Sequence, residues 1–179
     1  RGLGDVYKRQ ILICTNKKPI YRRSFTADYY LFDFKNKEIK PLSEGGSQRL
    51  ATFSPTGLQV AFVRDNNLFI HDIRFGSERQ ITRDGQYNHI INGAPDWVYE
   101  EEFAFNRAFE WAPDGSAIAY IKFDESDVRE FQMNMFEGQN PALKQNELYP
   151  SNYVYKYPKA GEKNSKAVSY THLRAHETG

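Results

Sequence analysis

The sequence predicts an all-β fold, a partial β-propeller of about three blades with one short helical insertion, and three observations predict it. Aromatic residues are frequent, with 13 Phe, 12 Tyr and 2 Trp among 179 residues, and aromatic and β-branched side chains favour strands. Two segments, ATFSPTGLQVAFVRDNNLFIHDI at 51–73 and FEWAPDGSAIAYIKFDESDVREF at 109–131, align at a constant offset of 58 residues. Each copy carries a Pro and, two residues later, a Gly, which suit a tight turn between two strands.

The elements follow in chain order. RGLGDVYKRQ, residues 1–10, has neither alternation nor turn residues, and VSYTHLRAHETG, 168–179, shows no strand pattern. Both resemble translated adapter read-through at the ends of gene fragments and are set aside as foreign tails, leaving 11–167 as the propeller region. The apolar run ILIC ends in Cys14, the sole cysteine, expected as a small buried hydrophobe. DYYLFDFKNKEIKPLSE reads as a strand, a turn centred on Asn36 and a short strand. In the first repeat Phe53, Pro55, Gly57 and Val60–Val63 match Trp111, Pro113, Gly115 and Ile118–Ile121 of the second. Asn66-Asn67 then turns the chain into LFIHDI, and Phe53, Phe62, Trp111 and Tyr120 are expected in the blade cores. Propeller blades repeat at roughly 40–50 residues. The excess in the 58-residue offset falls on GAPDWVYEEEFAFNR, which is expected as an insertion on one face.

Charge narrows the function classes. With 24 basic and 23 acidic side chains, nothing favours nucleic acid or an anionic membrane as partner. No apolar run reaches the 18 residues of a membrane-crossing helix. Zinc-type ligands are not clustered; His172 and His176, an i, i+4 pair, have no third ligand nearby, so no metal or cofactor is expected.

Within the insertion, DWVYEEEF places Glu100, Glu101 and Glu102 side by side. Adjacent carboxylates repel, so either water screens them on a solvated helix face or a cation is meant to sit there. Asp96 is placed to cap a helix, and Trp97 and Tyr99 to anchor it by packing.

At these residues the chain resembles the N-terminal propeller region of the dipeptidyl peptidase IV group, in the prolyl oligopeptidase family of serine peptidases. The resemblance covers roughly residues 11–166. It is carried by YRRSFTADYYLFD at 21–33, TFSPTGLQVAFV at 52–63, ITRDGQYNHIINGAPDWVYEEEF at 81–103, WAPDGSAIAYIKFDESDV at 111–128 and YPKAGEKN at 157–164. The last of these and the Phe-rich strands are more similar to bacterial members than to animal ones.

The resemblance implies that Glu101 and Glu102 bind the free N-terminal ammonium of a peptide substrate. It also implies that Arg22 contacts the substrate's backbone carbonyl, with Arg23 the alternative if the register slips by one. Glu100 is expected to point away from the substrate on a solvated face. A protonated α-amine, with a pKa of roughly 7.7–8.0, has three donors that two carboxylates can accept with charge assistance. Mutual repulsion of the empty pair would then disfavour acetylated or internal peptides, which bring no charge.

The family's nucleophile lies in a G-x-S-x-G elbow of an α/β-hydrolase domain. No such motif occurs here, and Ser24, Ser54 and Ser116 have no neighbouring base. The expectation is therefore the recognition part of a larger secreted, periplasmic or cell-surface exopeptidase that releases X-Pro or X-Ala dipeptides. It would carry no catalytic residue of its own, have a partner hydrolase domain elsewhere in the protein, and allow a homodimer of the full-length enzyme. A non-catalytic propeller used for protein interaction, or an inactive relative, is the competing expectation.

Overall fold

The computed structural model describes residues 10–136 and 149–173. The described residues fold into antiparallel sheets with one helix. The first sheet holds β1 (Gln10–Pro19), β2 (Phe25–Asp33) and β3 (Glu38–Pro41), in that order. The turn between β2 and β3 is fixed by Asp33, whose Oδ1 accepts from the backbone N–H of Lys35 at 2.8 Å and of Asn36 at 3.2 Å. The turn spans residues 34–37, with Asn36 at its middle as expected, and Lys37 closes it in the left-handed conformation.

The second sheet is a four-stranded meander of β4 (Arg49–Phe53), β5 (Gln59–Arg64), β6 (Asn67–Asp72) and β7 (Ser77–Gln80). Asp65 and Asn66 both take positive φ, the geometry that matches a two-residue turn to the twist of its strands, so this turn sits one residue earlier than expected. The third sheet centres on β10 (Ala117–Asp124). Along one edge of β10 lie β8 (Ile90–Asn92) and β9 (Phe109–Trp111), one after the other; along the other edge lies β13 (Lys166–Leu173). A separate ribbon pairs β11 (Glu130–Met135) with β12 (Ser151–Lys156).

The two repeat copies form the same turn. Ser54 N–H bonds to Gln59 C=O and Gly57 N–H to Ser54 C=O; Ala112 and Gly115 make the equivalent bonds to Ala117 and Ala112. Gly57 and Gly115 have φ of 69° and 73°, which an L side chain adopts only at a cost.

Strand alternation separates two cores. Ala61 and Val63 of β5, with Leu68 and Ile70 of β6, join Ile91, Phe109, Trp111, Ile118 and Phe123 of the third sheet. Val60 and Phe62, with Phe69, face the other way onto Leu31 of β2 and Leu42, the residue after β3. The second sheet thus lies between its neighbours as a central blade with both faces covered. Phe53 packs at the edge of the core facing the first sheet and Tyr120 at the edge of the other, as expected of blade residues.

Two expectations are corrected. Cys14 is half-buried because β1 is an edge strand, with β2 as its one partner among the described residues. Residues 168–173, which show no strand pattern in isolation, complete β13, where Lys166–Leu173 pairs with all eight residues of β10. The free edge of β10 supplies the pairing that the local sequence does not announce. His172 lies in this strand; residues 1–9 and 174–179, His176 among them, lie outside the described residues.

Candidate functional site

The insertion leaves the third sheet at a single pinch point. Gly93 N–H bonds to Ile121 C=O, Ile121 N–H to Ala108 C=O, and Ala108 N–H closes the neck onto Gly93 C=O at 3.0 Å. Residues 94–107 loop out between them, and α1 (Trp97–Phe103) forms within the loop. Gly93 has φ 76°, and a Cβ there would press on Val63, Phe109 and Leu68 at 3.2–3.4 Å.

Seven residues are too few for a helix to be stable alone, so caps and packing must hold it. Asp96 is the N-cap, its carboxylate accepting from Tyr99 N–H at 2.9 Å. Ala104 ends the helix in the left-handed conformation. Trp97 packs on Tyr155 and Tyr157 of the ribbon side, with ring centres 5.7 and 4.7 Å away. Tyr99 meets Phe123 edge-on at 4.9 Å. The cap and both anchors stand where the sequence places them.

Consecutive helix residues diverge by about 100°, so three glutamates in a row cannot share one environment. Glu102 is exposed, Glu101 is half-buried and Glu100 is fully buried. The Arg22 guanidinium sits on Glu101, Nη2 to Oε1 at 2.9 Å, with the arginine side chain 72% exposed. Arg22 and Glu101 are thus brought together across the gap between the first sheet and the insertion. Arg23 contributes backbone: its N–H donates to Glu100, and its C=O accepts from Asn106.

Glu100 departs from expectation. It is not on a solvated face; its Oε1 accepts from Arg23 N–H at 2.8 Å and Ser24 N–H at 3.0 Å. Arg49, 6% exposed, supplies the positive charge that acts on it. Burial pushes the Arg49 guanidinium down, and Glu100, Tyr21 and Tyr29 oppose that push. No local signal could reveal this, because Arg23, Ser24 and Arg49 are distant in sequence.

A second buried acid lies at the foot of α1. Burial first, and then the charge of Asp96, push the Glu125 carboxyl up to about 7; Lys156 partly offsets this. Burial also raises Asp96. The Tyr21 hydroxyl is raised by burial and then by Glu125. Among the described residues no group of three or more His, Cys, Asp or Glu could hold a metal ion.

This geometry sits on a chain whose residues 7–176 match the model of the dipeptidyl peptidase IV N-terminal region. The chain belongs to that family. Its dipeptidyl peptidase IV relatives include a crystal structure of Porphyromonas gingivalis dipeptidyl peptidase 4, 46% identical, with a TM-score of 0.83 over 92% of this chain and 22% of that one. A probable dipeptidyl-aminopeptidase B from Podospora anserina is 42% identical over 164 residues, and one from Emericella nidulans is 41% identical over 165. Each of these alignments covers 87% of this chain and 18% of the relative, so the chain spans about a fifth of its dipeptidyl peptidase relatives. The likeness in fold confirms the propeller region: open antiparallel sheets with one helix, and no closed barrel among the described residues.

Proposed function

We propose that this region reads the N-terminus of a peptide for a serine exopeptidase that removes X-Pro or X-Ala dipeptides, the catalytic serine lying in a hydrolase domain elsewhere in the full-length protein. The observation that carries the proposal is the pairing of Arg22 with Glu101 beside exposed Glu102, in a chain of the dipeptidyl peptidase IV family. Glu101 and Glu102 accept the substrate's ammonium. Arg22 has five donors in a planar fork, so a guanidinium held by Glu101 keeps donors for a peptide carbonyl. Its exposure leaves it free to reach one. Counting two residues from a charged terminus then places the third residue's amide bond beyond reach of the nucleophile and the second's within it.

In the full-length peptidase, Glu101→Gln and Glu102→Gln should each lower kcat/KM by about 2–5 kcal/mol, roughly 30-fold to several thousand-fold, as for removing one partner of a desolvated charge pair. Wild-type kinetics in both variants would overturn the assignment. KM should also rise above about pH 8, where the substrate amine loses its proton.

A further inference from the structure

We infer that Glu100 is a positioning residue, which ties the Arg22 segment to helix α1 and so sets where Arg22 stands relative to Glu101 and Glu102. The inference rests on the assignment of those three residues to the substrate. Arg22 lies between β1 and β2, in a stretch whose own sheet ends at Pro19 and resumes at Phe25. Across that gap, the backbone N–H groups of Arg23 and Ser24 both point to one oxygen of Glu100, at 2.8 and 3.0 Å. The insertion returns a second tie, from the Asn106 amide to Arg23 C=O at 3.3 Å. Two points of attachment on adjacent residues fix direction as well as distance.

A buried carboxylate needs a compensating charge, and Arg49 is the buried cation that acts on it. Among the described residues, Glu100 Oε2, Ser24 Oγ and Arg49 Nε and Nη2 are buried without a hydrogen-bond partner, so the two backbone N–H bonds to Oε1 are the hydrogen bonds that hold the carboxylate. Arg49 begins β4 of the central blade. The Arg22 segment and the glutamate helix are thus held to each other, with the Arg49 charge at the start of the central blade acting on the carboxylate between them. The consecutive glutamates divide the work by helix geometry: Glu100 turns inward to hold the arginine segment, and its neighbours turn outward.

The test uses steady-state kinetics of the full-length enzyme on a dipeptidyl p-nitroanilide. Glu100→Ala should raise KM about tenfold with kcat changed less than about threefold, and should raise KM no further in an Arg22→Ala background. A purely structural role lowers the amount of active enzyme and leaves KM alone; that result overturns the inference. Gln keeps one carbonyl oxygen able to accept from both N–H groups, whereas Asp keeps the charge but falls one methylene short. Should Glu100→Ala fail to fold, the order still decides: KM higher for Glu100→Asp than for Glu100→Gln supports the inference, and the reverse overturns it. Hydrogen exchange separates the two assignments. If Glu101→Gln and Glu102→Gln leave KM unchanged while Glu100→Ala speeds exchange at the Arg23 and Ser24 amides, the substrate reading has failed and the tie stands. Unchanged exchange there overturns the tie itself.

Discussion

The central blade and the third sheet start from the same repeat and end differently. Both copies keep the same turn, with Ser54, Gly57 and Gln59 bonded as Ala112, Gly115 and Ala117 are. Both keep an apolar strand after it, β5 and β10. The outer strand differs. In the central blade β4 runs through from Arg49 to Phe53, with an irregular register between Arg49 and Thr52 and Leu50 at φ 64°. In the third sheet the strand stops at Asn92 and Gly93 and resumes at Ala108, with the insertion between. The two breaks fall at matching places, since Arg49 pairs with Val63 and Gly93 bonds to Ile121, the repeat equivalent of Val63. One copy carries a bulge there, and the other carries a helix. Ladder pairs on both sides hold the register, so the ladder tolerates extra chain where it is already loose.

The comparison breaks most sharply in the cores. Phe62 and Phe123 are both fully buried, and truncating either to Ala should destabilise the protein by about 3–5 kcal/mol, read by denaturant unfolding of the full-length protein. Phe62 stacks on Phe69 within the central blade, so its loss should leave KM unchanged. Phe123 supports Tyr99 of α1, so its loss should raise KM as well. Equal KM in the two variants would show that the helix does not depend on the blade beneath it.

Next come the glycines. Gly115, in the turn that both copies share, has φ 73° and faces Thr56; Gly115→Ala should cost about 1–2 kcal/mol. Gly93 exists for the neck alone and is crowded by Val63, Phe109 and Leu68, so Gly93→Ala should cost about 2–4 kcal/mol by unfolding. An equal cost at both would mean that the neck imposes no demand beyond its dihedral angle.

The smallest effect concerns Glu125, whose repeat counterpart in the central blade, Asn67, carries no charge. Its carboxyl titrates near 7 in the fold, above its ordinary value of 4.5. The folded state therefore holds more protons than the unfolded state between those pH values, and stability falls as pH rises through that window. Glu125→Gln should stabilise at pH 8, by on the order of 1 kcal/mol after screening, and the gain over wild type should fade toward pH 4.5. Melting temperatures at the two pH values decide it.

What the sequence discloses follows from how local each cause is. The Pro–Gly turns, the alternation of Val60–Val63, the Asp96 cap and the Trp97 and Tyr99 anchors are written within a few residues of themselves. Arg22 and Glu101 were singled out by the resemblance, and the fold brings the two side chains into contact. Glu100 was not, because its burial depends on two backbone N–H groups and an arginine from other elements. The strand at Lys166–Leu173 was hidden for a similar reason: a mostly exposed edge strand has little apolar alternation, and its partner is set by the open side of β10.

The closed neck has a consequence for how such a protein can change. Because Gly93 and Ala108 are bonded to each other and to Ile121, the chain leaves and re-enters the blade at one rung. The exposed stretches beyond that rung can be lengthened or shortened while its ends stay a hydrogen bond apart, and loop-closure entropy grows only slowly with length. The rung is a socket. A segment carrying a different charge pattern could be seated in it, and the blade would meet the same two ends.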